Sequence, residues 1–147
     1  MSIDIEHELV IGAPIGRVWN CFATADGLNA WWTKTASADP RPGGRFTFGF
    51  DELHQWAGFA RRFRERSAIE WEMTDTTPMP DWLGTRVGAV LSEQGDATRV
   101  HFYHRGWHSA TQHMRESSYC WANCLRFLGK YCVLGEFVPY DRRNDLF

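Results

Sequence analysis

The chain has 147 residues, enough for one domain that buries a core without a metal or a disulfide. Its formal net charge of -2 shows none of the basic excess that a nucleic-acid partner requires, so we expect no such partner. Eight Trp and ten Phe make the chain unusually aromatic, and such side chains fill either a large core or the wall of a cavity.

The start of the chain and its cysteines indicate a cytoplasmic protein. Residues 1–7 are acidic and alternating, unlike a signal peptide, and no stretch approaches the ~20 apolar residues of a membrane helix, so we expect no membrane insertion. Cys120 and Cys124 stand one helical turn apart, which is the spacing of half a metal site. No His stands at ligand spacing on that face, so we interpret the four cysteines as free thiols and predict no metal.

The N-terminal part of the chain predicts a strand and two short helices. Ile3–Ile11 alternates between apolar and polar residues, which is typical of a half-buried strand. Pro14 suits a helix start, because the first helical position has no N–H partner to lose, and Trp19 lies on the apolar stripe that follows. Asp26-Gly27 breaks the pattern before a second short helix.

From residue 45 to residue 105 the pattern has a period of two, which predicts strands joined by hairpins. Phe46 and Phe48 follow a Pro-Gly-Gly turn and share one face of their strand. Gly58 lies inside the next strand and indicates a close approach of neighbouring backbone. On the last strand Phe102 and His104 face the same side, toward the expected interior.

Two acidic residues and one loop in this region have more than one interpretation. Glu70 and Glu72 flank the inward-facing Trp71 and are predicted to face solvent, although a carboxylate pair is also what glycoside chemistry requires. Trp82 and Leu83 lie in a loop flanked by prolines. We expect them to form an exposed apolar patch, suited to a homodimer or chaperone contact.

After residue 108 the period changes to 3.6, which predicts one long helix. Ser109 is the predicted N-cap, with Gln112 reaching back to it as in a capping box. An apolar stripe follows, and Gly135 ends the helix. At about 1.5 Å per residue the helix would be roughly 35–40 Å long. It is the only predicted element large enough to cover a sheet.

These elements predict a single α+β domain over residues 1–138, followed by a polar tail over residues 139–147. Sequential antiparallel strands form a curved sheet of about seven strands with one apolar face against the long C-terminal helix. A curved sheet contacts a helix along a line and leaves space beside it. A small hydrophobic molecule would bind in that space.

Four segments of the chain resemble one family. They are Val18-Trp19 with Gly27-Leu28 and Trp31-Trp32; Pro42-Gly43-Gly44 through Phe48; Thr98-Arg99-Val100 through Trp107; and Trp121 with Leu125, Leu128 and Tyr131. Their order and spacing are similar to those of the START/Bet v 1-like (SRPBCC) superfamily, in the branch of homologues of the activator of the heat-shock-protein-90 ATPase. The resemblance implies a helix-grip fold. The superfamily includes hydrophobic-ligand carriers, polyketide cyclases and aromatases, and co-chaperone domains, so the fold does not fix the activity.

We predict that the protein binds a hydrophobic or aromatic small molecule without catalysis and without a cofactor. The predicted cavity residues are Phe46, Phe48, Trp71, Phe102, His104, Met114, Trp121 and Leu125. One alternative is a cyclase- or aromatase-like enzyme in which His104 acts as general acid or base. No nucleophile or carboxylate pair converges on His104, and a histidine that orders the turn before the last helix would look the same in sequence. The other alternative is a chaperone-associated interaction module.

Overall fold

A seven-stranded antiparallel sheet and one long helix make up most of the structure, a computed structural model that describes residues 3–146. Met1, Ser2 and Phe147, parts of the predicted domain and tail, lie outside the described residues. The strands are β1 (Ile3–Ile11), β2 (Thr35–Ser37), β3 (Arg45–Gly49), β4 (Gln55–Arg64), β5 (Ala68–Asp75), β6 (Arg86–Gln94) and β7 (Ala97–Trp107). The helices are α1 (Ile15–Ala23), α2 (Ala25–Asn29) and α3 (Gln112–Leu134), with 3-10 segments at Pro80–Trp82 and Tyr140–Leu146.

The strand order is β1-β7-β6-β5-β4-β3-β2, with every neighbouring pair antiparallel. Strands β2 to β7 therefore pair in chain order, whereas β1 lies beside the last strand. The two short helices follow β1, and α3 comes after the whole sheet. This arrangement confirms the α+β fold with a curved antiparallel sheet and a long C-terminal helix.

The inner face of the sheet carries the core. Val100, Phe102 and His104 on β7 are fully buried, as their alternation predicts. On β6, Val87 lies opposite His104 and Ala89 lies opposite Phe102, so the two strands present small residues beside large ones. The buried residues of α3 belong to the same core cluster.

Glu70 on the outer face was predicted to face solvent, and this is wrong, because its side chain is buried. The Tyr103 hydroxyl donates to one carboxylate oxygen at 2.7 Å and Arg61 donates to the other at 2.7 Å. Burial raises the pKa of Glu70, but these two hydrogen bonds and the charges of Arg61 and Arg86 together outweigh it, so the pKa lies below its ordinary value. Gly88 makes room for the phenol, since a Cβ there would lie 2.6 Å from the Tyr103 ring. Glu72 is half-buried.

Helix α3 begins at a different cap from the one predicted. Thr111, not Ser109, is the N-cap: its hydroxyl accepts from the Met114 amide at 3.1 Å and donates to Asp81 at 3.0 Å. Ser109 is exposed and precedes the helix. Gly135 ends α3 at φ 67°, in the left-handed region that favours glycine, as predicted.

The apolar patch predicted at Trp82 and Leu83 is half correct. Leu83 is 49% exposed, but Trp82 is only 6% exposed. The Pro80–Trp82 turn directs the indole inward, where its centroid lies 4.4 Å from the His104 ring and 5.6 Å from the Trp121 ring. The loop therefore contributes a core side chain rather than an exposed one.

The helices are joined by contacts that sequence patterns do not show. Cys21 on α1 and Cys132 on α3 are both buried, with their sulfurs 3.6 Å apart. After α3, the segment Tyr140–Leu146 holds Arg143 against the carbonyl oxygen of Asn29 at the end of α2. Among the described residues, no helix is both long and apolar enough to cross a membrane.

Candidate ligand pocket

A pocket of about 440 Å³ lies along one side of α3. Its walls come from five segments: the residue Trp32 shortly after α2, the β3–β4 hairpin, the loop before β6, residues 113–127 of α3 and the tail segment. The apolar lining consists of Trp32, Phe50, Trp56, Met79, Trp82, Trp121, Phe127 and Tyr140. This volume falls within the roughly 300–1,000 Å³ of typical small-molecule sites.

Five aromatic side chains of this lining form a closed circuit, in which each ring contacts the next and the fifth contacts the first. Around the circuit the centroid distances are 5.8 Å for Trp32–Phe50, 5.2 Å for Phe50–Trp56, 4.8 Å for Trp56–Trp82, 5.6 Å for Trp82–Trp121 and 4.9 Å for Trp121–Trp32. We call these five side chains the aromatic circuit. All five spacings are those of favourable aromatic pairs.

The aromatic circuit is anchored in the core. The ring centroids of Trp32 and Trp71 lie 6.0 Å apart, and those of Trp121 and Phe102 lie 4.6 Å apart. Trp32 and Trp121 therefore line the pocket and also pack against the inner face of the sheet. The Trp56 indole donates to the carbonyl of Thr77 at 3.1 Å, which fixes its orientation. A ligand would therefore meet a wall that is already ordered, and preorganisation reduces the entropic cost of binding.

Polar groups stand at both ends of the pocket. At one end Ser117 accepts a hydrogen bond from the Trp82 indole at 3.2 Å. At the hairpin, the His54 ring lies 2.8 Å from Asp51, and this hydrogen bond holds the pKa of Asp51 below its ordinary value. At the other end Arg143, 5% exposed, reaches the pocket from the tail. Apolar walls with a few placed polar groups are the usual form of a small-molecule site.

His104 lies behind the pocket wall rather than among its lining residues. Its Nδ1 accepts from the Trp121 indole at 3.1 Å, and its Nε2 lies 2.7 Å from the Thr85 hydroxyl. Burial lowers the pKa of His104 to about 3, so the imidazole is neutral at physiological pH. Both nitrogens are committed to protein partners, an arrangement that serves packing and orientation.

The structure places the predicted cavity residues mostly in the packed core. Phe46, Phe48, Trp71, Phe102, His104 and Leu125 are buried and Met114 is half-buried, and none of these seven lines the pocket. Of the eight predicted residues, all within the described chain, Trp121 alone lines it. Four of them, Phe48, Trp71, Phe102 and His104, contact rings of the aromatic circuit from the core side.

The other four members of the aromatic circuit were missed as cavity residues. Phe50 continues the face of Phe46 and Phe48 but stands just past the end of β3, and Trp56 stands at the start of β4. Aromatic residues at strand ends beside a hairpin are the signal that could have found them. Trp82 carried no such signal, because a loop has no periodicity from which burial can be predicted.

The fold and the pocket define a class of protein: a helix-grip domain with an aromatic pocket beside its C-terminal helix. The family model described as activator of Hsp90 ATPase homolog 1-like protein matches residues 12–132, and the chain belongs to this family. No curated protein matches the chain.

Solved structures agree with this assignment. The Aha1 dimer from Colwellia psychrerythraea has a TM-score of 0.80 at 25% identity, covering 91% of this chain and 98% of that one. CalU16 from Micromonospora echinospora has a TM-score of 0.68 at 23% identity, covering 99% and 84%. A Bacillus halodurans protein, BH1534, has a TM-score of 0.72 at 19% identity, covering 88% and 96%. The last two show the fold alone.

Proposed function

We propose that this protein binds a small hydrophobic or aromatic molecule in the pocket beside α3, without catalysing its conversion. The observation that carries the proposal is the aromatic circuit, whose five contacting rings all line one pocket of about 440 Å³. In a core without a ligand role, aromatic side chains fill space rather than border it. Here they do both.

The state of His104 supports binding over catalysis. A general base must present a free nitrogen to the substrate, and here one nitrogen accepts from Trp121 while the other lies against Thr85. A pKa of about 3 also leaves too weak a base for proton abstraction near neutral pH. A cyclase-like use of His104 would require breaking at least one of these contacts.

The direct test is a titration with N-phenyl-1-naphthylamine, a neutral aromatic probe whose fluorescence rises in apolar surroundings. We expect saturable binding with one site per chain, and a co-purifying small molecule in native mass spectra of protein isolated from its own host. Non-saturable binding by the folded protein, together with no co-purified species, would remove the proposal.

A second candidate is a contact with a chaperone or with a second copy of this chain. Family membership favours the first, and the dimeric state of the Colwellia protein favours the second. Leu83, 49% exposed, is the part of the predicted patch that remains on the surface. Light scattering would detect the dimer, and a purified chaperone whose ATPase rate is unchanged by this protein would exclude the chaperone role.

A cytoplasmic location belongs to the same proposal. All four cysteines, each within the described residues, are free thiols, as expected in a reducing compartment. Fractionation of the host would check it.

A further inference from the structure

The tail brings a buried cation to the pocket. The Tyr140–Leu146 segment places Arg143 beside Phe127 and Tyr140, with its guanidinium carbon 5.9 Å and 5.8 Å from the two ring centroids. The side chain lines the pocket and the residue is 5% exposed. A guanidinium in such surroundings is held away from water that would otherwise solvate its charge.

The hydrogen bonds of Arg143 hold it in place without neutralising it. Nε donates to the carbonyl of Val138 at 2.9 Å, one terminal nitrogen donates to the carbonyl of Asn29 at 2.6 Å, and the other donates to Thr33 at 3.4 Å. These neutral acceptors use three of the five N–H groups. Among the side chains that the structure describes, no carboxylate lies within ion-pair distance of Arg143. Burial lowers the pKa of Arg143, and the nearby Cys124 and Tyr140 oppose this effect only in part.

The carboxylates of the pocket are committed elsewhere. Asp51 accepts from the amides of Leu53 and His54 and lies against the His54 ring, at the exposed tip of the hairpin. Glu116 accepts from Gln112, and it precedes Phe127 by eleven residues of α3, roughly 16 Å along the helix axis. Neither of these carboxylates therefore offsets the charge of Arg143 at its end of the pocket.

We propose that the pocket selects aromatic molecules that carry one acidic group, a carboxylate or a sulfonate, with the acid paired to Arg143 and the aromatic part against the aromatic circuit. An anion there would supply a counter-charge, and a guanidinium with two N–H groups that no described residue accepts suits an oxyanion. This inference rests on the proposed function, because it concerns the same pocket and names the chemistry of its ligand.

The test compares two probes that differ in one group. 8-Anilino-1-naphthalenesulfonate is N-phenyl-1-naphthylamine with an added sulfonate, so their relative affinities isolate the acid. Arg143→Gln should weaken binding of the sulfonate probe at least tenfold and change binding of the neutral probe less than twofold. Arg143→Lys keeps the charge and should retain part of the preference. Arg126→Gln removes an exposed cation of α3 that does not line the pocket, and should change neither affinity.

The outcomes separate the two proposals. Equal loss of both probes in Arg143→Gln would show that Arg143 only orders the tail, and would overturn the inference while leaving the pocket as a neutral aromatic site. Unchanged affinity for both probes in that variant would overturn it as well. Failure of the wild-type protein to bind either probe would instead overturn the proposed function. Thermal melting of each variant establishes that it is folded.

Discussion

The indole N–H of Trp121 donates a hydrogen bond to Nδ1 of His104 across 3.1 Å in the core. Because Nδ1 accepts, the ring proton lies on Nε2, which donates to the Thr85 hydroxyl at 2.7 Å. The Thr85 hydroxyl in turn donates to the carbonyl of Trp82 at 2.6 Å. This chain links β7, α3 and the loop, and so positions two members of the aromatic circuit.

The neutral state of His104 makes stability depend on pH. Its pKa is about 3 in the fold and about 6.5 in an unfolded chain, so the unfolded state binds more protons between these values. The stability of the fold that depends on a neutral His104 is therefore fully present above pH 6.5 and is lost as pH falls toward 3. Between pH 7.5 and pH 5, urea denaturation should show the wild type losing about 2 kcal/mol more than His104→Gln. Parallel curves for the two proteins would contradict this.

Trp121→Phe should destabilise the protein by more than its lost volume explains. The substitution removes the indole donor and leaves Nδ1 of His104 buried without a partner, which costs about 1–3 kcal/mol. Trp107→Phe is the matched control: Trp107 is equally buried, and its indole N–H has no acceptor within residues 3–146. Denaturant midpoints should rank Trp121→Phe well below Trp107→Phe. The reverse order would show that the His104 contact contributes nothing.

Phe50→Ala should open the aromatic circuit on its hairpin side. Phe50 contacts both Trp32 and Trp56, so its loss removes one wall and loosens two more. We expect affinity for N-phenyl-1-naphthylamine to fall about tenfold, or about 1.4 kcal/mol. Phe63→Ala removes an equally half-buried phenyl that packs on Trp19, away from the pocket, and should leave the affinity unchanged. An equal fall in probe affinity in Phe50→Ala and Phe63→Ala would indicate a general loss of packing rather than damage to the pocket.

Thr111→Ala should destabilise α3, whereas Ser109→Ala should not. Thr111 caps the Met114 amide and also bonds Asp81, so its removal should cost about 1 kcal/mol. Ser109 is exposed and lies outside the helix. Chemical denaturation of both variants distinguishes the observed cap from the one that the capping-box pattern predicts.

The two candidate caps show what sequence patterns can and cannot provide. The change of period from two to 3.6 locates α3 and its inward stripe, because periodicity reports which face is buried. It does not choose between Ser109 and Thr111, since both residue types cap helices well. The choice depends on Asp81, which lies thirty residues earlier in the chain and accepts a hydrogen bond from the Thr111 hydroxyl.

Glu70 and Trp82 are two further side chains whose environment local sequence patterns do not predict. Alternation correctly assigns Glu70 to the outer face, but Glu70 is buried there by Arg61 on the adjacent β4 and by Tyr103 on β7, whose ring reaches across β6 at Gly88. Trp82 enters the core from a loop, where no period exists. The fold was therefore predictable from local patterns, whereas the pocket depends on side chains brought together from five separate segments.

The central claim, that a small aromatic molecule binds in the pocket against the aromatic circuit, is tested most directly by NMR of the eight indole N–H signals during a titration with N-phenyl-1-naphthylamine. Trp32, Trp56, Trp82 and Trp121 line the pocket, and Trp19, Trp31, Trp71 and Trp107 do not. Ring currents from the bound probe should shift the first four signals strongly and leave Trp19 and Trp107 nearly unmoved. Uniform small shifts, or shifts confined to the second group, would contradict binding at this site.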